Sequence, residues 1–300
     1  MLHSLETFVE IAKTRPGKKI AVAAAEDKTT LLALRRLTEE GIAEPVLVGN
    51  KEEIHRLCDD IAFDITHYRL VDVKEKSLAC KAAVALVKEG EADVLTRGAL
   101  ETADYLRPIL HKETGLKTSR LVSQAAFVEI ATYHKVFAFT DSGINIAPDV
   151  NDKAQMIRQC VDVFHTLGIK TPKVAVIAAT EGVKTAMPST IDAAILSQMN
   201  KRGGIRGCLV DGPLSVDLAF SKTSVAHKGL NTEVGGDADL IVLPDINAAN
   251  TFYKTVTFLG NARAASFIIG TQAPVDFPSR SDSVDTKYYA MVCAVAQCRT

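Results

Sequence analysis

Near the end of the chain, Ser279-Arg280-Ser281-Asp282-Ser283 gathers three hydroxyls, a guanidinium and a carboxylate into five residues. A guanidinium presents its N–H donors in a planar fork that can hold two oxygens of one phosphate or carboxylate, and a neighbouring carboxylate can orient it or accept a proton. Two further clusters share this bias. Pro244-Asp245-Ile246-Asn247 opens a helical pattern in which Asn250 and Lys254 follow Asn247 at helical spacing, so the three share one face beside an anion-attracting N-terminus. Asp211-Gly212-Pro213 follows the apolar run Cys208-Leu209-Val210. Upstream, Arg97 lies in Thr96-Arg-Gly98, Arg107 in Leu106-Arg-Pro108, and Asp141, Ser142 and Asn145 in Thr140-Asp-Ser-Gly-Ile-Asn145. What these residue types have in common is the capacity to bind an anion.

Each cluster has a plain folding use as well. Asn247 can cap its helix with Lys254 solvated, Asp211-Gly-Pro can be a tight turn, and Ser279–Ser283 can cap the last helix with Arg280 and Asp282 as a surface pair. Arg97 and Arg107 read equally as ligand clamps or as solvated charges. Better-known devices are missing: no P-loop signature, no dinucleotide-binding glycine fingerprint and no nucleophile-elbow serine occurs. His3, His55, His67, His111, His134, His165 and His227 show no ligand spacing, so no metal site is expected. Cys58, Cys80, Cys160, Cys208, Cys293 and Cys298 form no C-x-x-C pair and are expected to be reduced packing thiols, Cys208 included.

The clusters must be carried by an alternation of strands and helices. Lys19 to Ala25, Pro45 to Val48, Tyr68 to Val71 and Asp93 to Thr96 read as strands, separated by helices at Thr29 to Glu40, Lys51 to Asp59 and Lys74 to Glu89. Gly41 and Gly90 close two of these helices. A helix near Ala103 to Lys112, strands around Leu121 to Ile130 and Val136 to Thr140, and a long helix from Asp152 to Leu167 follow. A strand at Lys173 to Ala178 precedes a helix expected to start at Ser189, with Asp192 completing a capping box. Apolar runs Cys208 to Val210, Ala238 to Leu243 and Ala265 to Gly270 then lead into the three late clusters, and Val284 to Cys298 forms a closing helix. Short apolar runs between helices predict buried parallel strands, whose carboxyl ends bring such clusters to one crevice. The polar interruption at Thr140 to Asp152 and the number of βα elements favour two α/β domains, with the closing helix able to fold back on the first.

Composition bounds the function. The chain has 300 residues, 47% of them hydrophobic, and a formal net charge of -1, which gives no bulk attraction to nucleic acid or anionic membranes. The first residues alternate apolar and polar at helical spacing, unlike a secretory leader, and no run reaches the roughly 18 apolar residues of a membrane span. A cytoplasmic globular protein without nucleic-acid or membrane partners is expected.

The ordered set Asp211-Gly-Pro-Leu, Gly236-Asp-Ala-Asp, Leu243-Pro-Asp-Ile, Ala249-Asn250, Tyr253-Lys254, Ala273-Pro274 and Ser279-Arg-Ser-Asp-Ser resembles the phosphate acetyl/butyryltransferase family. That family moves an acyl group between coenzyme A and inorganic phosphate. Met187-Pro-Ser-Thr-Ile-Asp-Ala-Ala194, Gly207-Cys-Leu-Val-Asp-Gly-Pro213, Ala226-His-Lys-Gly229 and Lys287, four residues beyond Ser283, resemble its phosphate butyryltransferase branch. The resemblance covers nearly the whole chain.

It implies two αβα domains facing a cleft, as in the isocitrate/isopropylmalate dehydrogenase-like fold, and a homodimer. The first domain would hold residues 1–140 plus 272–300, and the second 141–271. Acyl-CoA and phosphate would be substrates that meet directly in a ternary complex, with no cofactor, no metal and no acyl-enzyme. Ser279, Arg280 and Asp282 match the reaction centre, Asp282 as the carboxylate favoured for proton transfer. Arg107, Asp141, Ser142, Asn145, Asp211, Gly212, Pro213, Asp245, Asn247, Asn250 and Lys254 would bind phosphate or coenzyme A. The chain departs from the acetyltransferase branch at Thr286, where that branch has an aspartate. A phosphate acetyltransferase, an NAD-dependent decarboxylating dehydrogenase of similar fold and a non-catalytic acyl-CoA-binding protein are the other readings.

Overall fold

The computed structural model describes residues 2–299. In chain order come α1 (Glu6–Lys13), β1 (Lys19–Ala23), α2 (Lys28–Glu39), β2 (Glu44–Gly49), α3 (Lys51–Asp60), β3 (Arg69–Asp72), α4 (Lys76–Lys88), β4 (Val94–Arg97) and α5 (Thr102–Leu110). Then follow β5 (Ser123–Glu129), β6 (Phe137–Thr140), α6 (Val150–Thr166), β7 (Lys173–Ile177), α7 (Pro188–Lys201), β8 (Leu209–Leu214), α8 (Val216–Phe220), α9 (Lys222–His227), β9 (Leu240–Val242) and α10 (Ile246–Lys254). The chain finishes with β10 (Arg263–Ile269), β11 (Val275–Asp276) and α11 (Val284–Ala296). It forms two compact units, one from Glu6–Val122 with Ala264 onward, the other from the residues up to Leu5 with Ser123–Arg263. These divisions fall at 122/123 and 263/264, where the sequence led us to expect 140/141 and 271/272.

In the unit that carries both ends of the sequence's βα run, the strand order is β3-β2-β1-β4-β11-β10. β3, β2, β1, β4 and β11 run parallel to one another in that order, whereas β10 is antiparallel to β11. Ile20, Ala21, Val22 and Ala23 of β1 are all buried, as a parallel strand with helices on both faces requires. α11 packs on α1 and α2 and is buried nearly all round. Its one buried cation, Lys287, is matched: Nζ donates to Asp27 Oδ1 at 2.7 Å and to Thr30 Oγ1 at 3.2 Å. A buried charge without such partners would cost several kcal/mol, roughly 3–5.

The second unit has the order β5-β6-β9-β7-β8, with β5 antiparallel to β6 and the remaining pairs parallel. The carboxyl ends of β6, β9, β7 and β8 therefore share one edge. At the opposite edge, buried Lys135 pairs with Asp239 at 2.6 Å and Asp237 at 3.0 Å, and Lys173 with Asp237 at 2.8 Å.

Several local expectations change. The strands of each unit are mixed in direction and not wholly parallel, because β5 runs against β6 and β10 against β11. Asp211-Gly212-Pro213 lies inside β8 instead of following it. α7 starts one residue earlier than expected, after Met187, which offers no side-chain cap. Asp192 completes no capping box; its carboxylate takes the ammonium of buried Lys153 on α6 at 2.6 Å. Gly41 and Gly90 do close their helices, and Gly168 closes α6, each at positive φ where a side chain is strained.

Candidate active site

Ser279, Arg280 and Asp282 sit in the loop between β11 and α11. A tight turn holds them: Asp282 Oδ2 accepts the Ser279 N–H at 2.8 Å, Asp282 N–H returns to Ser279 O at 3.1 Å, and the Ser279 and Ser281 hydroxyls lie 3.1 Å apart. Asp282 Oδ2 thereby shapes the turn. Arg280 is half exposed and meets Glu101 Oε1 through Nη1 at 2.8 Å.

A buried framework beneath this loop fixes it. Arg97, the last residue of β4, is 5% exposed. Its guanidinium donates Nη1 to Pro278 O at 3.1 Å, Nε and Nη2 to Leu100 O at 3.2 and 2.7 Å, and Nη2 to Thr102 Oγ1 at 3.2 Å. It lies 5.9 Å from the ring centres of Tyr105 and Phe277, which are themselves stacked 6.4 Å apart. One side chain thus ties the loop before α5 to the residue that precedes Ser279. Asp276 of β11 is fully buried; it accepts Arg97 N–H at 3.0 Å and the Thr96 hydroxyl. Burial pushes its carboxyl up to about 7, against the opposing pull of those donors and of Lys287 and Arg97. Gly98 lets the end of β4 touch that of β1, since a Cβ there would stand 2.0 Å from Ala24 O.

Arg107, expected to reach the ligand, is not part of this buried framework. It is on the exposed face of α5, 75% exposed at its side chain, and pairs with Asp104 at 3.5 Å. The inward arginine of this region is Arg97, which the sequence left undecided between clamp and surface charge.

In the other unit, Asp141 follows β6 and is 4% exposed. Its carboxylate accepts Gly143 N–H at 2.9 Å, Ile144 N–H at 3.0 Å, Asn145 N–H at 3.2 Å and Asn145 Nδ2 at 2.6 Å. Burial nevertheless raises its pKa above the ordinary carboxylate value. Ser142 gives both its N–H and its hydroxyl to Gln124 Oε1 at 2.8 Å. Asn250, on α10, donates Nδ2 to Ser142 O at 3.1 Å, so this loop and α10 form one assembly.

The cap of α10 is Asp245, whose Oδ1 accepts Asn247 N–H at 2.8 Å and Ala248 N–H at 3.0 Å. The expected cap, Asn247, has its side chain in solvent. Asp245 thereby satisfies the first N–H groups of α10. Lys254 Nζ lies 5.0 Å from the Tyr253 ring centre and 5.7 Å from that of Phe258. Asp211 accepts Gly212 N–H at 2.8 Å; a Cβ on Gly212 would stand 2.7 Å from Val176 O, and Pro213 is buried. These contacts pack the motif within β8.

At the carboxyl ends of β7, β8 and β9 lies a cavity of about 400 Å³, walled by Ile177, Val216, Leu243, Pro244 and Phe252, with the hydroxyl-bearing Ser215, Thr251 and Thr255 at its margin. Its place is the one where α/β sheets take ligands. Among the described residues no His, Cys, Asp and Glu side chains gather as for a metal, and no helix is long and apolar enough to cross a membrane. Sequence reasoning missed Glu101, Asp276 and Gln124. Asp276 alone left a trace, as a carboxylate between Val275 and Phe277 in an apolar strand; Glu101 looks like any surface glutamate.

Comparison with known proteins agrees with these features. The profile of the family described as Phosphate acetyl/butaryl transferase matches residues 4–81 and 74–295. A phosphate butyryltransferase of Clostridium beijerinckii is 40% identical over 294 residues, covering 98% of this chain and 97% of its own. A phosphate acetyltransferase of Thermotoga maritima is 40% identical over 287 residues, covering 96% and 97%. Among solved structures, a branched-chain phosphotransacylase from Enterococcus faecalis V583 superposes with a TM-score of 0.81 at 28% identity, over 93% of this chain and 98% of that one. With the Ser279-Arg280 turn held on a buried framework and the match running through nearly the whole sequence, this chain belongs to the phosphate acetyl/butyryl transferase family of acyltransferases.

Proposed function

We propose that the protein transfers a short-chain acyl group, butyryl by preference, between coenzyme A and inorganic phosphate, giving acyl phosphate and free coenzyme A. The observation that carries this is the Arg280 guanidinium, half exposed beside Ser279 on a loop held by buried Arg97. In the forward step a phosphate oxygen attacks the thioester carbonyl, and the tetrahedral oxyanion collapses to acyl phosphate as the C–S bond breaks and the thiolate takes a proton. Arg280 holds phosphate and the Ser279 hydroxyl donates to the developing oxyanion; a well-placed donor of that kind contributes roughly 2.7–4 kcal/mol. Holding both substrates removes the entropy cost of their encounter.

Asp141, Ser142, Asn145 and Asn250 would contact substrate through the loop they build, and the apolar cavity is suited to an apolar part of an acyl-CoA. Asp211 and Asp245, which hold backbone N–H groups, and Arg107 and Asn247, whose side chains are exposed, take lesser parts in this proposal. That residues of both units serve one reaction, in the two-domain arrangement with a cleft, and that the chain works as a cytoplasmic homodimer, rest on the family resemblance. Initial rates with both substrates varied test the direct transfer: intersecting double-reciprocal lines are expected, and parallel lines would replace it with a covalent intermediate.

A further inference from the structure

Glu101 stands at the N-cap position of α5, where a short polar side chain ordinarily satisfies the first helical N–H groups. It makes no such bond. Its carboxylate is instead 2.8 Å from Arg280 Nη1, although 63% of the side chain is exposed to solvent. Arg97 prearranges this meeting from below. It grips Leu100 O and Thr102 Oγ1, the residues on either side of Glu101, and Pro278 O, two residues before Arg280. The backbone positions of both partners are therefore set by one buried guanidinium, and an ion pair that would otherwise be a loose surface contact is fixed at both roots.

The shortest contact to Glu101 is made through Nη1. With Nη1 turned to Glu101, the Nε–Nη2 edge is the one that an oxyanion can take in bidentate fashion. We infer that Glu101 is a positioning residue: it orients Arg280 so that this second edge faces phosphate. The inference rests on the proposed transfer to phosphate and adds a residue that no sequence motif of the chain contains.

A double-mutant cycle on the full chain tests it, with kcat, the KM for phosphate and the KM for butyryl-CoA measured for wild type, Glu101→Gln, Arg280→Ala and the pair. Since exposed ion pairs are worth at most about 1 kcal/mol, Glu101→Gln should raise the KM for phosphate roughly three- to fivefold, leave the KM for butyryl-CoA unchanged and leave the melting temperature unchanged. In the Arg280→Ala background the same change should have no further effect. Equal effects in both backgrounds, or a phosphate KM that falls because Glu101 merely competes with the anion, would overturn the role of Glu101. A wild type that releases no coenzyme A from butyryl-CoA and phosphate would instead overturn the proposed function, so the two failures are told apart.

Discussion

Arg280 commits Nη1 to Glu101, and its half-exposed fork is the feature that a lysine cannot copy. Arg280→Lys should therefore keep the fold and lose at least about tenfold in kcat/KM, about 1.4 kcal/mol of transition-state stabilisation. Unchanged kinetics would remove Arg280 from the site. The cysteines offer the opposite test. All six are buried, and burial pushes the Cys208 thiol up to about 11, so it is protonated at neutral pH and a poor nucleophile. Cys208→Ala should retain most of the activity, and mass spectrometry after incubation with acyl-CoA alone should find no acylated protein. At this scale the sequence made the Ser279-Arg280 pair visible because its residue types declare their chemistry. It could not show that Arg107 is exposed, since a helical arginine has no local signal for which face it occupies, and it took Asn247 for the cap of α10, where Asp245 two residues earlier is an equally good cap and won.

β4 and β11 carry the loop residues, and their contact is made through Asp276. Its carboxyl is raised to about 7 in the folded protein, above the ordinary value of 3.8. A group raised in this sense lends its full stability below pH 3.8, and that stability is lost as pH rises through 7, because the unfolded chain ionises first. Between pH 5 and pH 8 the melting temperature of the wild type should fall more than that of Asp276→Asn, and equal slopes would refute the buried neutral carboxyl. Asp237 acts in the other direction. Burial works against its charge, but Lys173 and Lys135 hold its pKa well below the ordinary value, so its contribution is present near neutral pH and is lost on acidification. β8 supplies a packing test: Gly212→Ala would force a methyl onto Val176 O, so a stability loss of about 1–3 kcal/mol is expected by chemical denaturation, with the KM values unchanged. The βα alternation could be read from the sequence because buried parallel strands are short continuous apolar runs. The antiparallel pairs β5/β6 and β10/β11 could not, since strand direction is decided by non-local partners. The inclusion of Asp211-Gly-Pro in β8 escaped for a related reason: glycine and proline ordinarily mark turns.

For the molecule as a whole, the 40% identity to a phosphate butyryltransferase and the equal identity to a phosphate acetyltransferase leave chain length to be settled by the pocket. Each methylene taken out of water is worth roughly 0.8 kcal/mol, so two should favour butyryl over acetyl by at most about fifteenfold, and by several-fold with imperfect filling. Family membership was legible from the order of short motifs over much of the chain, whereas the arrangement of the units was not, because the segments that form each unit are far apart in sequence. The central claim is acyl transfer from coenzyme A to phosphate. It is tested most directly by following thiol release from acetyl-, propionyl-, butyryl- and hexanoyl-CoA with and without phosphate, while trapping acyl phosphate as its hydroxamate. Phosphate-dependent release matched by an equal amount of acyl phosphate, with kcat/KM greatest for butyryl-CoA, is the predicted result; thiol release that is absent, or that proceeds without phosphate and without acyl phosphate, would contradict it.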